Sequence, residues 1–233
     1  TLSDPFYFNV TEDGDWKNPA NWTHKNSTTH GMLPDKRFPI IVSKTLKIGT
    51  ASLARTGEND DLEAYGVTIE ENGNITVLPT GGLTLHAGGF TNVTENNLTV
   101  CNNQDGVGFV RVSPYFTREV EGTMPNINVQ YTTRAKAGGA KDQVWQYVGA
   151  PGSNMQMSND GVMVYLWSEK EGWVYSSTNM TPFAGYALTR TASGSETYKI
   201  SAQPINGDHT IDLTYTQGAM EGGNLFVNSY LAP

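Results

Sequence analysis

A repeated triplet, in which threonine stands between two apolar residues, is the feature that most constrains the fold of this chain. Its copies are Val67-Thr68-Ile69, Ile75-Thr76-Val77, Leu83-Thr84-Leu85 and Leu98-Thr99-Val100, and Phe90-Thr91-Asn92 fills the one gap in the series. The central threonines therefore follow one another at intervals of 8, 8, 7 and 8 residues. Alternation with period two is typical of a half-buried β-strand, and Gly and Asn between the triplets indicate turns. The sequence predicts a repetitive β structure with the apolar residues inside and the threonines outside.

Two architectures satisfy this spacing. A three-sided β-solenoid with about eight residues per side would have coils of roughly 24 residues. An antiparallel meander would instead join neighbouring strands through turns built on the Gly and Asn pairs. The very short strands and the similar turns favour the solenoid, and the meander stays open as the alternative.

Composition supports an all-β fold and excludes some partners. The chain holds 27 Thr, 20 Asn and 25 Gly, and only 16% of its residues are charged. Thr favours strands, whereas Asn and Gly favour turns. The net charge of −8 comes from scattered acidic residues, so nucleic acid is not expected as a partner. No apolar run approaches the ~20 residues of a membrane span, and Cys101, the only cysteine, allows no internal disulfide.

The sequence predicts four regions. Residues 1–44 form an N-terminal cap with Trp-rich turns, residues 45–132 the repetitive β region, residues 133–142 a linker, and residues 143–233 a β-sandwich-like domain. The last region contains seven strand candidates in about 90 residues, as expected of a sandwich. These are Val144–Val148, Val162–Trp167, Trp173–Tyr175, Tyr186–Thr189, Tyr198–Ala202, Thr210–Tyr215 and Leu225–Val227.

Aromatic residues in turns are the candidates for ligand binding. Trp16 and Trp22 lie in turn-like sequence, and Trp173 follows Glu171-Gly172 with Tyr175 two residues later. Such rings stack on sugar rings, although aromatic residues also dominate β cores. We therefore expect a glycan site at Trp173, Tyr175, Trp16 and Trp22, and we place Trp145 and Trp167 in the core because they lie in apolar runs.

Acidic loops are the candidates for a metal site. Asp13-Gly14-Asp15 and Asn59-Asp60-Asp61 each put several oxygens in a loop, and calcium takes six to eight oxygen ligands. Asp13, Asp15, Asp60 and Asp61 are the ligands expected, with acidic turns in solvent as the alternative. No metal-binding His spacing, nucleophile elbow or phosphate-binding loop occurs, so no catalytic residue is assigned.

Several of these segments resemble a family of large exported cell-surface proteins of Bacteroidetes. The likeness rests on Gly14-Asp15-Trp16 to Asn21-Trp22 with Leu33-Pro34, on the repeats from Val67 to Val100, on Trp145-Gln146-Tyr147-Val148-Gly149-Ala150-Pro151, and on Gly223 to Tyr230. In the last segment Gly223, Val227 and Ser229 depart from the family pattern. The resemblance implies export, by a type IX-like route, of a segment of a longer protein. It implies no activity.

These observations predict a non-catalytic structural or adhesive segment of an exported bacterial protein, located at the cell surface or outside the cell. A carbohydrate-binding module attached to a longer exported enzyme is the alternative. The apolar end of the chain favours association, since residues 225–231 are expected to pair with following sequence or with another copy. The partners expected are therefore adjoining modules, further copies of the chain, and glycans.

Overall fold

The computed structural model describes residues 4–8, 14–24, 32–50, 60–91, 97–103, 106–112, 126–134, 144–157, 162–176, 180–190, 192–205, 208–218 and 220–230. These residues confirm the all-β class, because their only helix is the 3-10 turn Pro19–Asn21. The strands are β1 Phe6–Phe8, β2 Trp22–His24, β3 Ile40–Val42, β4 Thr45–Ile48, β5 Asp61–Ile69, β6 Asn74–Val77, β7 Gly82–Thr91, β8 Leu98–Asn103, β9 Gly106–Val107, β10 Phe109–Val112, β11 Ile127–Thr132, β12 Gln146–Val148, β13 Ser153–Met157, β14 Val162–Ser168, β15 Gly172–Ser176, β16 Tyr186–Arg190 and β17 Thr197–Gln203.

The chain divides into two compact units between Val129 and Gln130, within strand β11. Unit 1 contains the segments predicted as the cap and as most of the repetitive region. Unit 2 contains the segment predicted as a sandwich. Most of the predicted linker at 133–142 lies outside the described residues.

Unit 1 is built mainly from parallel strands in two sheets that the chain visits alternately, and its strands β2 and β9 pair antiparallel with β1 and β8. Strands β3, β5, β7 and β10 are neighbours in one sheet, while β4, β6 and β8 are neighbours in the other. Paired residues are therefore far apart in sequence: Leu62 pairs with Leu83, 21 residues later, and Ile75 with Leu98, 23 residues later. A meander pairs consecutive strands in antiparallel fashion. The described pairings of β3 to β8 exclude that alternative.

The parallel register aligns residues of similar chemical type on neighbouring strands. Leu62, Leu83 and Val110 are aligned across three neighbouring strands, and all three are buried. The inward direction expected for the apolar members of the repeat is confirmed, since Ile75, Val77, Leu83, Leu85, Leu98 and Val100 are 0–2% exposed. Thr76, Thr84 and Thr99 lie on the opposite face of their strands and are half-buried.

Glycine allows successive turns of unit 1 to stack directly. Gly49 has φ of +86°, and a Cβ atom on it would lie 2.4 Å from the backbone nitrogen of Gly81. Gly73 is similarly constrained, because a Cβ atom there would lie 2.0 Å from the Val42 carbonyl oxygen. A side chain would force these turns apart.

The N-terminal strands bury the two tryptophans that the sequence analysis assigned to a glycan site. Trp22 is 2% exposed, and its indole N–H donates to the Trp16 carbonyl oxygen at 2.7 Å. Its ring contacts Phe8 edge-on at 4.7 Å between ring centroids. Trp16 is 9% exposed. Both rings are core residues, and the prediction that they present a surface to glycans is wrong.

Unit 2 is sandwich-like and antiparallel. One four-stranded sheet has the order β12-β16-β14-β15, and β13 pairs with β17 in another. Strand β13 was not predicted. Two predicted strands were wrong, since Thr210–Tyr215 forms no regular strand and Leu225–Val227 contributes only an isolated bridge from Phe226 to Ala184.

The C-terminal segment has partners within unit 2. The Val227 N–H donates to the Phe183 carbonyl, and the Phe183 N–H donates to Ser229 Oγ at 2.7 Å. Ser229 is fully buried, and the Tyr230 ring contacts Phe183. Residues 225–230 are therefore held against residues 183–185 of the same unit. Pairing of residues 225–231 with following sequence or with another copy stays a prediction.

Candidate functional site: an aromatic face on the four-stranded sheet

Six aromatic side chains share one face of the sheet β12-β16-β14-β15. Side chains two residues apart on a strand point to the same face. The register places Tyr165 opposite Tyr175 and Trp167 opposite Trp173 on β14 and β15, and Tyr147 opposite Ala187 on β12 and β16. We call the resulting surface the aromatic face. It consists of Trp145, Tyr147, Tyr165, Trp167, Trp173 and Tyr175.

Small residues on and just before the inner strand β16 leave room for rings from the two edge strands to meet. Ala187 lies between Tyr147 and Tyr165 in register, and Gly185 precedes it on the same face. Both residues are buried. Leu225 packs against Gly185. The Tyr147 and Trp173 rings stack on each other, with centroids 5.8 Å apart and planes 21° apart, although β12 and β15 are the two edges of the sheet.

The remaining rings are joined edge to face and stay open to solvent. Trp145 contacts Tyr165 at 5.4 Å, Tyr165 contacts Tyr175 at 5.7 Å, and Trp167 contacts Trp173 at 5.2 Å. Tyr147 is 72% exposed, Tyr175 67%, Trp145 44% and Trp173 38%. Exposed apolar surface of this kind marks sites of interaction with ligands or partners.

The aromatic face is electrically neutral. Among the residues of its four strands, the only charged side chain is Arg190, which alternation places on the opposite face. Arg190 is 8% exposed and donates to Glu196 Oε2 at 2.6 Å and to the Gly194 carbonyl at 2.9 Å. The rings are therefore suited to an uncharged ligand.

Two of the six rings on this surface were predicted from the sequence. Trp173 is exposed as expected, and Tyr175 lies beside it. The placement of Trp145 and Trp167 in the core is wrong, since Trp145 is exposed and Trp167 is half-buried with its indole N–H bonded to the Gly223 carbonyl. The missed signal was a spacing: Trp145-x-Tyr147, Tyr165-x-Trp167 and Trp173-x-Tyr175 each put two rings on one side of a strand.

A nearly buried carboxylate fixes the segment beside the aromatic face. Glu169, in the turn between β14 and β15, accepts hydrogen bonds at 2.9 Å from the backbone N–H groups of Gly222 and Thr216. These bonds hold the pKa of the Glu169 carboxyl below its ordinary value of 4.5, with Gly222 the larger cause, although burial acts in the opposite direction. The ionised form of Glu169 therefore holds Thr216 and Gly222 in place.

Glu169→Gln is expected to loosen this segment, because a neutral amide oxygen is a weaker acceptor than a carboxylate. The Gly222 and Thr216 amides should exchange hydrogen faster, as measured by hydrogen–deuterium exchange. In the unaltered protein the stabilisation should be complete above pH 4.5 and lost as the pH falls through the lowered pKa. Glu171→Gln, an exposed residue of the same turn, is the control. Equal protection in the Glu169 and Glu171 variants would contradict the prediction.

Of the acidic residues predicted to bind calcium, the structure describes Asp15, Asp60 and Asp61, and these three form no metal-binding cluster. Asp60 forms an ion pair with the Lys17 ammonium group, and Asp15 Oδ1 accepts from the Lys17 backbone N–H. Asp61 lies in strand β5 and Asp13 lies outside the described residues. The described part of the chain contains no cluster of three His, Cys, Asp or Glu side chains.

Comparisons of the chain with protein-family models, with curated proteins and with solved structures gave no match. In the described residues, no helix has the length and apolar character needed to cross a membrane.

Proposed function

We propose that this chain is a non-catalytic adhesive segment of an exported bacterial cell-surface protein, and that the aromatic face is its contact surface for glycans. The observation that carries the proposal is that six rings lie on one face of a sheet in unit 2. Four of these rings are exposed. An exposed set of rings is costly in water unless a ligand covers it.

Sugar rings fit this surface by chemistry. The C–H groups on a pyranose face are apolar and slightly positive, so they pack against the negative face of an aromatic ring. The phenol groups of Tyr147 and Tyr175 are exposed with their rings and offer hydrogen bonds to sugar hydroxyls. The lack of charge on the aromatic face favours neutral sugars over acidic ones.

Unit 1 supports a structural role for the rest of the chain. We propose that its two alternating parallel sheets form a β-solenoid, with the buried aromatic residues near the N-terminus as its cap. Stacked coils of this kind form a rod that needs no disulfide or metal. A rod joined to a glycan-binding unit suits adhesion in an extended surface assembly. The aromatic face also favours a second candidate, a carbohydrate-binding module attached to a longer exported enzyme.

Trp173→Ala is expected to weaken glycan binding strongly. Trp173 contacts both Trp167 and Tyr147, so its loss removes the indole that joins β15 to β12. Truncation of a central aromatic residue typically costs about 2 kcal/mol or more, which is roughly thirtyfold in affinity. The measurement is binding to a glycan array, followed by titration with the best ligand.

Met32→Ala is the control, because Met32 is a large side chain of unit 1 that is 55% exposed and is not part of the aromatic face. It should bind as the unaltered protein does, and both variants should keep the unaltered melting temperature. Unchanged binding by Trp173→Ala would contradict the assignment of the face. Failure of the unaltered protein to bind any glycan on the array would contradict the ligand class.

A further inference from the structure

Residues 208–215 of unit 2 have the side-chain pattern of a strand but pair with no strand among the described residues. Residues 208–215 are all exposed and form no regular secondary structure. Apolar residues alternate with polar ones, and the apolar set is well exposed: Ile211 40%, Leu213 73% and Tyr215 69%. This pattern led the sequence analysis to predict a strand at Thr210–Tyr215.

The backbone of this segment is bonded along one edge only. The Thr214 N–H donates to Asn224 Oδ1 at 3.2 Å, and the Thr214 carbonyl accepts from Asn224 Nδ2 at 2.9 Å. The Thr216 N–H donates to Glu169 on the same side. In an extended chain the N–H and C=O groups of alternate residues point to opposite edges. The odd-numbered residues therefore face outwards.

The backbone groups of Ile211, Leu213 and Tyr215 have no hydrogen-bond partner among the residues that the structure describes. The segment is nevertheless held at both ends, since the His209 ring lies 4.8 Å from Phe183 and the Thr216 N–H is bonded to Glu169. A strand that is already extended loses little conformational entropy when it pairs.

We propose that two copies of this chain pair through this edge, as antiparallel strands related by a two-fold axis at Leu213. The bonds of Thr214 determine the register, because only odd-numbered residues offer backbone groups to a partner. Leu213 then lies opposite Leu213 of the second copy, and Ile211 lies opposite Tyr215. Aromatic and β-branched residues form favourable cross-strand pairs.

Charge also favours a second copy as the partner. Asp212 is the only acidic residue in the segment from 209 to 216, and this register places it opposite Thr214. A register centred on Asp212 would put two carboxylates opposite each other, which is destabilising. The segment is thus complementary to itself in one register. With only three apolar side chains from each copy, the contact is weak in solution and becomes effective where copies are concentrated.

Disulfide trapping tests the register. In a Cys101→Ser background, Leu213→Cys should form an interchain disulfide under a glutathione redox buffer, because hydrogen-bonded antiparallel pairs have Cα atoms about 5.5 Å apart, within disulfide range. Ile211→Cys should form several-fold less, since its counterpart is Tyr215. Val107→Cys, an exposed residue of unit 1, measures random collision.

Sedimentation velocity over a range of concentrations provides the second measurement. The unaltered protein should show concentration-dependent dimer, and Leu213→Pro should lose it, because proline removes the central N–H donor while the segment forms no strand within its own chain. Dimer trapping by Leu213→Cys no greater than by Val107→Cys would overturn the proposal. So would equal trapping by Ile211→Cys, or a dimer that persists in Leu213→Pro.

Discussion

Leu83→Asp is expected to unfold unit 1, whereas Thr84→Asp leaves it folded. Leu83 is fully buried and aligned between Leu62 and Val110. The substitution removes apolar burial worth about 1.5–3 kcal/mol and places a carboxylate where the aligned neighbours on both sides are aliphatic. The combined loss of about 4 kcal/mol or more is comparable with the stability of a whole domain.

Thr84 provides the matched control because it is the next residue on the same strand. It lies on the opposite face, half-buried, between Glu63 and Arg111 in register. An aspartate there meets one like and one opposite charge, so the change in the free energy of unfolding should stay within about 1 kcal/mol. Urea titration followed by circular dichroism measures both variants. Similar losses in the two would refute the inside–outside alternation of the repeat.

The fold of unit 1 was predictable because its signal is local and repeated. Each triplet around Thr76, Thr84 or Thr99 carries its own period of two, and each is bounded by turn residues. The alternation states which side chains are buried. It does not state which strands pair, so the choice between meander and parallel sheets needed the register of Leu62 with Leu83.

The aromatic face was only partly predictable because exposure depends on what covers a sheet. The runs around Trp145 and Trp167 are as apolar as the buried strands of unit 1, and no local feature marks their aromatic side as uncovered. Thr210–Tyr215 shows the same limit. Its alternation is that of a strand, but hydrogen-bonding partners come from elsewhere in the fold. Among the described residues, the Asn224 side chain is the partner of its backbone, at Thr214.

Trp22 shows how a distant partner overrides a local signal. Its neighbours along the chain are turn residues, including the 3-10 turn Pro19–Asn21, and they predicted an exposed ring. Phe8, fourteen residues earlier, pairs with Trp22 in register and places the indole in the core. The burial of Trp22 is therefore a property of the sheet rather than of the turn.

Trp22→Ala is accordingly expected to destabilise unit 1 by about 3–5 kcal/mol, the usual cost of removing a buried aromatic side chain. The change leaves a cavity beside Phe6 and Phe8 and removes the hydrogen bond to the Trp16 carbonyl. Trp145→Ala makes the same chemical change at a ring that is 44% exposed, so it should cost about 1 kcal/mol or less. Thermal unfolding followed by calorimetry distinguishes the two variants. A smaller loss for Trp22→Ala than for Trp145→Ala would mean that Trp22 faces solvent, and the glycan role first assigned to it would again be open.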